Sequence, residues 1–154
     1  MNTIADTAAH AVSPRKVDQL LAHYGQSHRD PRNEVIHFIA IPLILISLVG
    51  LLYAAHPWIA YAFLAASMVY YARLSWVFLV AMAAVSGAAL LLVLAMGDRV
   101  IAVSVSIFVA AWIAQFVGHK IEGKKPSFFE DLQYLWVGPL FVLSKLFGKL
   151  GLRW

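Results

Sequence analysis

The chain has 154 residues, 62% of them hydrophobic and only 13% Asp, Glu, Lys or Arg, with a mean hydropathy of +0.76. A soluble domain carries about 25% charged residues, so this chain has too little charge to cover itself with a polar surface, and an all-α integral membrane protein is expected. The net charge of +4 sits mostly in short segments between apolar runs, which points to membrane orientation and away from nucleic acid, while the lack of cysteine excludes disulfides, thiolate metal sites and a cysteine nucleophile.

Residues 1–12 read as a flexible tail, and 13–34 as a cytosolic helix followed by a polar motif. Ser13-Pro14 has the form of an N-cap and first helical position. The helix it predicts runs from Pro14 to His28, with Val17, Leu20, Leu21 and Tyr24 on one face, and is interrupted at Asp30-Pro31. No apolar leader precedes the first long span, which is therefore expected to remain as an anchor.

Four spans are expected within 35–118. They are Val35–Ala55, with Pro42 predicting a kink; Trp58–Ala72, short for about 30 Å of hydrocarbon; Ser75–Met96; and Val100–Gly118. His56-Pro57 and Gly97-Asp98-Arg99 read as turns. Residues 119–154 hold a second polar motif and then the apolar stretch Leu132–Leu150, broken by Gly138-Pro139 and carrying Lys145 and Lys149. Cations at both ends make a full crossing awkward, so a re-entrant or interfacial helix is expected there. The whole chain reads as a single membrane domain.

Arg15, Lys16, Arg29 and Arg32 precede the first span, Arg73 lies between the second and third, and Lys120, Lys124 and Lys125 follow the fourth. The opposite turns carry only Arg99, beside Asp98. The positive-inside rule then places the N-terminal region, the Arg73 turn and the segment around His119 in the cytosol. His23, His28, His37 and His119 share that side, and His56 falls on the other. Charges alone produce this sorting.

Imidazoles converging from distant segments at membrane depth are a metal-site pattern. Tyr24 and His28 are four apart, as are Asn33 and His37, so on helices each pair shares a face. His119 and Glu122 do so if the fourth span continues past Gly118, and Gln115 lies one turn earlier. Asn33 and Glu122 are candidates to orient ligating imidazoles. Three or four imidazoles suit Fe(II), Zn(II), Mn(II) or Cu(II), and ligand type alone does not choose among them. No HExxH is present to support a metalloprotease, nor are the HxxxH and HxxHH boxes of membrane desaturases and hydroxylases.

YGQSHRDPRNEVIHFIAIP (Tyr24–Pro42) resembles a pattern of tyrosine, three residues, histidine, then asparagine, three residues, histidine and a later proline. WIAQFVGHKIEGKKPSFFEDLQYLWVGPLFV (Trp112–Val142) resembles a second block, with a Gln, a Gly-His pair, a Glu, a Pro and a Gly-Pro before an apolar end. Together they resemble the small membrane-protein family that includes the fungal endoplasmic-reticulum 2-hydroxy fatty acid dioxygenase of phytosphingosine breakdown. The resemblance implies Fe(II)-dependent α-oxidation, in which O2 cleaves a 2-hydroxy fatty acid between C1 and C2 and leaves a chain one carbon shorter. It implies His28, His37 and His119 as metal ligands, with His23 less firmly attached, and Glu122, Asn33 and Tyr24 as catalytic candidates. Lys124, Lys125, Arg32 and Gln115 are candidates to hold the substrate, whose carboxylate would lie at headgroup level in the bilayer. The bacterial inner membrane and the endoplasmic reticulum both fit as locations, and a homo-oligomer is compatible with the pattern. The competing reading is a non-catalytic membrane protein that binds haem, metal or lipid.

Overall fold

The computed structural model describes residues 14–123 and 134–154. Ser13, the tail at 1–12, Lys124 and Lys125 lie outside the described residues. Six α-helices occupy them: α1 Lys16–Gly25, α2 Pro31–Ala55, α3 Pro57–Ala72, α4 Trp76–Ala95, α5 Val100–Ile121 and α6 Val137–Lys149, with a 3-10 turn at Gly97–Arg99. There is no strand among the described residues.

Among the described residues, three segments are long and apolar enough to cross a membrane: Pro31–Ala55, Trp76–Ala95 and Gly97–Ile121. Backbone polar groups in hydrocarbon must be satisfied internally, which selects helices. Buried Ser47 and Ser67 obey the same rule, with Ser47 Oγ donating to the Ile44 carbonyl at 2.9 Å and Ser67 Oγ to that of Phe63 at 2.8 Å. α3 follows the expected second span but has only 16 residues. The turn before α5 depends on Gly97, whose φ of 53° lies in the left-handed region that favours glycine.

α1 is shorter than the Pro14–His28 helix read from the sequence. Gln19 donates its side-chain amide to the Pro14 carbonyl at 2.8 Å, holding Pro14 before the helix, which is capped by Arg15. At the other end the backbone N–H groups of Arg29 and Asp30 donate to the Glu122 carboxylate, both at 2.8 Å. Those donors are thereby taken from any continuing helix. Asp30 then caps α2, accepting from the Arg32 N–H at 2.9 Å, with Pro31 at the first helical position. α2 therefore begins four residues earlier than Val35, and Asn33 and His37 are both helical.

α2 and α5 pack antiparallel along most of their length. Small residues allow this approach at both ends: Gly50 lies against Ser104, and Gly118 against Asn33. A second core joins Val17, Leu45, Val49, Tyr71, Phe78, Met82, Val93, Leu140 and Phe147. It ties α6 across the end of the bundle. Trp136, just before α6, donates its indole N–H to Ser67 Oγ at 2.9 Å, and its carbonyl accepts from the Tyr71 hydroxyl at 3.2 Å. Phe147 stacks on Phe78 at the start of α4, and Lys145 pairs with Glu34 at the start of α2. Many large side chains on the outer faces are exposed, among them Ile39, Trp58, Trp76, Val80, Leu91, Ile101 and Ile113. Such a surface suits lipid.

Candidate metal centre

His28 sits in the α1–α2 loop, His37 on the second turn of α2 and His119 near the end of α5. They are 5%, 0% and 6% exposed, and their ligand nitrogens all lie within 4.8 Å of one another. Ring centroids are 4.3 Å apart for His28–His37, 5.0 Å for His37–His119 and 5.8 Å for His28–His119, with every pair steeply inclined.

The backbone sets the ring orientations. His28 Nδ1 lies 2.8 Å from the Tyr24 carbonyl and His37 Nδ1 3.0 Å from the Asn33 carbonyl. A carbonyl only accepts, so in each ring Nδ1 carries the proton and Nε2 the lone pair. This is the arrangement by which ligating histidines are usually fixed. Tyr24 also stacks on His28, with centroids 4.2 Å apart and planes 13° from parallel, and Phe141 lies 5.5 Å from the same ring.

Glu122 caps the end of α5 and holds the loop. Besides Arg29 and Asp30, it accepts from Asn33 Nδ2 at 3.1 Å, and the same Asn33 amide donates to the Ser27 carbonyl at 3.2 Å. Both partners of that amide are acceptors, so its orientation is fixed. The opposite atom, buried Asn33 Oδ1, accepts no hydrogen bond among the described residues. Burial pushes the Glu122 carboxyl up, but the N–H groups of Asp30 and Arg29 and the Asn33 amide outweigh it, and the group titrates below the ordinary carboxylate range.

The donor set therefore fits a metal ion: three buried imidazoles from two elements and a loop, two of them with a defined tautomer, beside a buried amide oxygen able to accept from a proton-bearing ligand. Gly118 is part of that fit. A Cβ there would run into Asn33 Oδ1 and crowd the His37 ring at 3.3 Å. Gly118→Ala is expected to cost about 1–3 kcal/mol and to lower metal retention with it. Thermal melts and metal analysis in detergent check this, with Gly87→Ala as control, since a Cβ at Gly87 meets nothing within 4 Å.

The remaining sequence candidates divide. Gln115 is buried and, with Tyr24 and Trp112, lines a cavity of about 30 Å3 beside the centre, room for roughly one water. His23 is exposed, lies 5.9 Å from the Tyr134 ring and is not brought to the cluster. Arg32 is exposed and bonded to Asp30 at 3.0 and 3.2 Å. His56, excluded by topology, caps α3 by accepting from the Trp58 N–H at 3.3 Å. Lys145 was not among the substrate-binding candidates, yet it lines a groove that His28 also lines. Its only sequence signal is a cation within an apolar stretch.

A sequence model of the family described as "2-hydroxy-palmitic acid dioxygenase Mpo1-like" matches residues 15–150. The chain belongs to the Mpo1-like family. A curated relative, the 2-hydroxy-palmitic acid dioxygenase MPO1 of Saccharomyces cerevisiae, is 29% identical over 138 residues, covering 85% of this chain and 79% of the relative. No solved structure matches. The Mpo1-like match covers α1 to α6 and all three clustered histidines. It makes a dioxygenase of the fatty-acid context the class to which this chain's site is compared.

Proposed function

We propose that this chain is an Fe(II)-dependent dioxygenase that cleaves 2-hydroxy fatty acids between C1 and C2 at the cytosolic surface of a membrane. The observation that carries the reading is the convergence of His28, His37 and His119 in a buried cluster within a chain of this family. Cleavage to an acid one carbon shorter, CO2 and water consumes one O2: the substrate loses four electrons, O2 gains four, and no outside reductant is required.

Bound iron would supply the site at which O2 is activated. His28, His37 and His119 would hold it. Tyr24 and the Tyr24 and Asn33 carbonyls keep two of the rings in place. Glu122 acts through position, fixing the loop that carries His28 against the helix that carries His119. Burial of the cluster limits water at the reacting centre.

The membrane arrangement has its own support. His37 near the start of α2 meets His119 near the end of α5, so the chain returns to the side from which it set out. A return takes an even number of crossings. That supports α3 as a fourth crossing beside α2, α4 and α5; its 16 residues reach only about 24 Å, so the bilayer would thin or the helix borrow flanking residues. Arg29, Arg32, Arg73 and Lys120 all fall on the side of the histidines, and Arg99 on the other, which favours a cytosolic site.

The test uses protein purified anaerobically in detergent. Iron near one per chain is expected, with O2 uptake on addition of 2-hydroxy-palmitic acid and a product one carbon shorter by mass spectrometry. Absence of O2 uptake after Fe(II) reconstitution would overturn the reading, and tightly held zinc that supports hydrolysis would replace it.

A further inference from the structure

A groove of about 410 Å3 runs between α1 and α6, within the usual range for a small-molecule site. Leu21 and Gly25 line it from α1, Phe141 and Lys145 from α6, and Trp154 lies beyond α6; His28, one of the clustered histidines, lines it too. Phe141 connects the two ends chemically, with its ring 5.5 Å from the His28 ring and 5.2 Å from Lys145 Nζ. Among the described residues, Arg15 holds both Asp18, at 2.8 and 2.9 Å, and the Trp154 main-chain oxygen, and Glu34 accepts from Lys145 at 3.1 Å. The Lys145–Glu34 pair is partly exposed, so Lys145 can exchange that carboxylate for an incoming one. Among the described residues the groove thus offers the Lys145 cation, a histidine of the candidate metal centre and an apolar and aromatic wall at the end of the bundle where an amphiphile's headgroup would lie.

We propose that this groove binds the long-chain 2-hydroxy acid, with Lys145 taking its carboxylate and Leu21, Phe141 and Trp154 flanking the start of its chain. The proposal rests on the function given above and names its substrate site. Incoming carboxylate competes with Glu34 for Lys145. Part of the binding is therefore an exchange of one anion for another, and Glu34 opposes the substrate while it holds the empty groove in shape.

That competition gives a test with a sign. Lys145→Met and Glu34→Gln break the same half-exposed ion pair, and such pairs contribute little to folding. If the pair only fastened α6 to α2, both variants would behave alike. As a substrate cation, Lys145→Met raises KM for 2-hydroxy-palmitic acid about 10- to 100-fold, the scale of a charge-assisted hydrogen bond, with iron content unchanged. Glu34→Gln lowers KM, Lys145→Arg restores most of the affinity, and the methyl ester of the substrate is indifferent to Lys145→Met. Gly25→Leu, which needs no unusual backbone angle and directs bulk at the groove, weakens binding as well.

Binding is also read without turnover, through a photoactivatable 2-hydroxy acid with its reactive group near the carboxyl end. Crosslinks are expected on α1 and α6 peptides, reduced by unlabelled 2-hydroxy-palmitic acid and by Lys145→Met. Crosslinks of this kind in a protein with no oxygenase activity would keep the groove and overturn the reaction. Normal turnover with KM moving the same way in both ion-pair variants, or with crosslinks only on the lipid-facing sides of α4 and α5, would overturn the groove and keep the reaction. Neither binding nor turnover would overturn both.

Discussion

Under the function proposed above, replacing His37 with alanine is expected to remove iron from the protein, from about one per chain to near none, and to lower turnover of 2-hydroxy-palmitic acid by at least about 100-fold, since even partners one layer out from a metal change affinity or activity by 10–100-fold. His37 is the most enclosed of the three, fully buried, and its ring is the nearest neighbour of both others. His28 and His119 alone would leave two protein donors where the cluster offers three. The lost ring leaves a void between α2 and α5, so a folding readout must accompany the assay. His37→Gln fills most of that volume without supplying the imidazole, and a folded, iron-free His37→Gln protein isolates the ligand role. Full iron and full turnover in a folded His37→Gln protein would place the metal elsewhere and discard the cluster as the active centre.

The helical class and the meeting of His28, His37 and His119 were legible because they rest on local chemistry. Apolar length forces helices, and Asp30-Pro31 starts α2 as cap and first helical position. The i, i+4 spacing of Asn33 and His37 worked because both lie within α2, and the reading of His119 with Glu122 worked because α5 does continue past Gly118 to Ile121. What escaped were features made by contacts distant in sequence. Glu122 bonds backbone groups 92 and 93 residues away, and a carboxylate that takes N–H groups from a loop leaves no trace in periodicity. For the same reason α1 was read as running on to His28. Gly118 signals a close approach only once the facing residue is known to be Asn33. The groove at Lys145 exists because α6 docks on α1 and α2, and the sequence shows only a lysine in an apolar run. Lys124 and Lys125, cations next to the second motif, lie outside the described residues; among those described, a cation that shares a groove with His28 comes from α6.

Glu122 carries the second large expectation, and it differs in kind from His37. Glu122→Ala leaves the Arg29 and Asp30 N–H groups and the Asn33 amide without their acceptor, at about 1–3 kcal/mol for each donor that stays buried, and frees the loop that carries His28. Iron affinity is expected to fall about 10- to 100-fold, so that added Fe(II) rescues turnover, which it does not do for His37→Gln. Glu122→Gln is not a benign substitute. The two carboxylate oxygens together face three donors, and an amide must turn its own NH2 toward at least one of them. The sign of the pH effect follows from the lowered pKa: the ionised carboxylate contributes stability that is complete above its unfolded pKa and is lost as pH falls through the lower folded value. In metal-free protein the gap in Tm between wild type and Glu122→Gln should therefore hold steady near neutrality and close only below the ordinary carboxylate range. A gap that closed between pH 6 and 7 would assign the effect to a histidine and not to this carboxylate, and a Glu122→Ala protein that kept its iron through dialysis would show that the loop needs no such anchor.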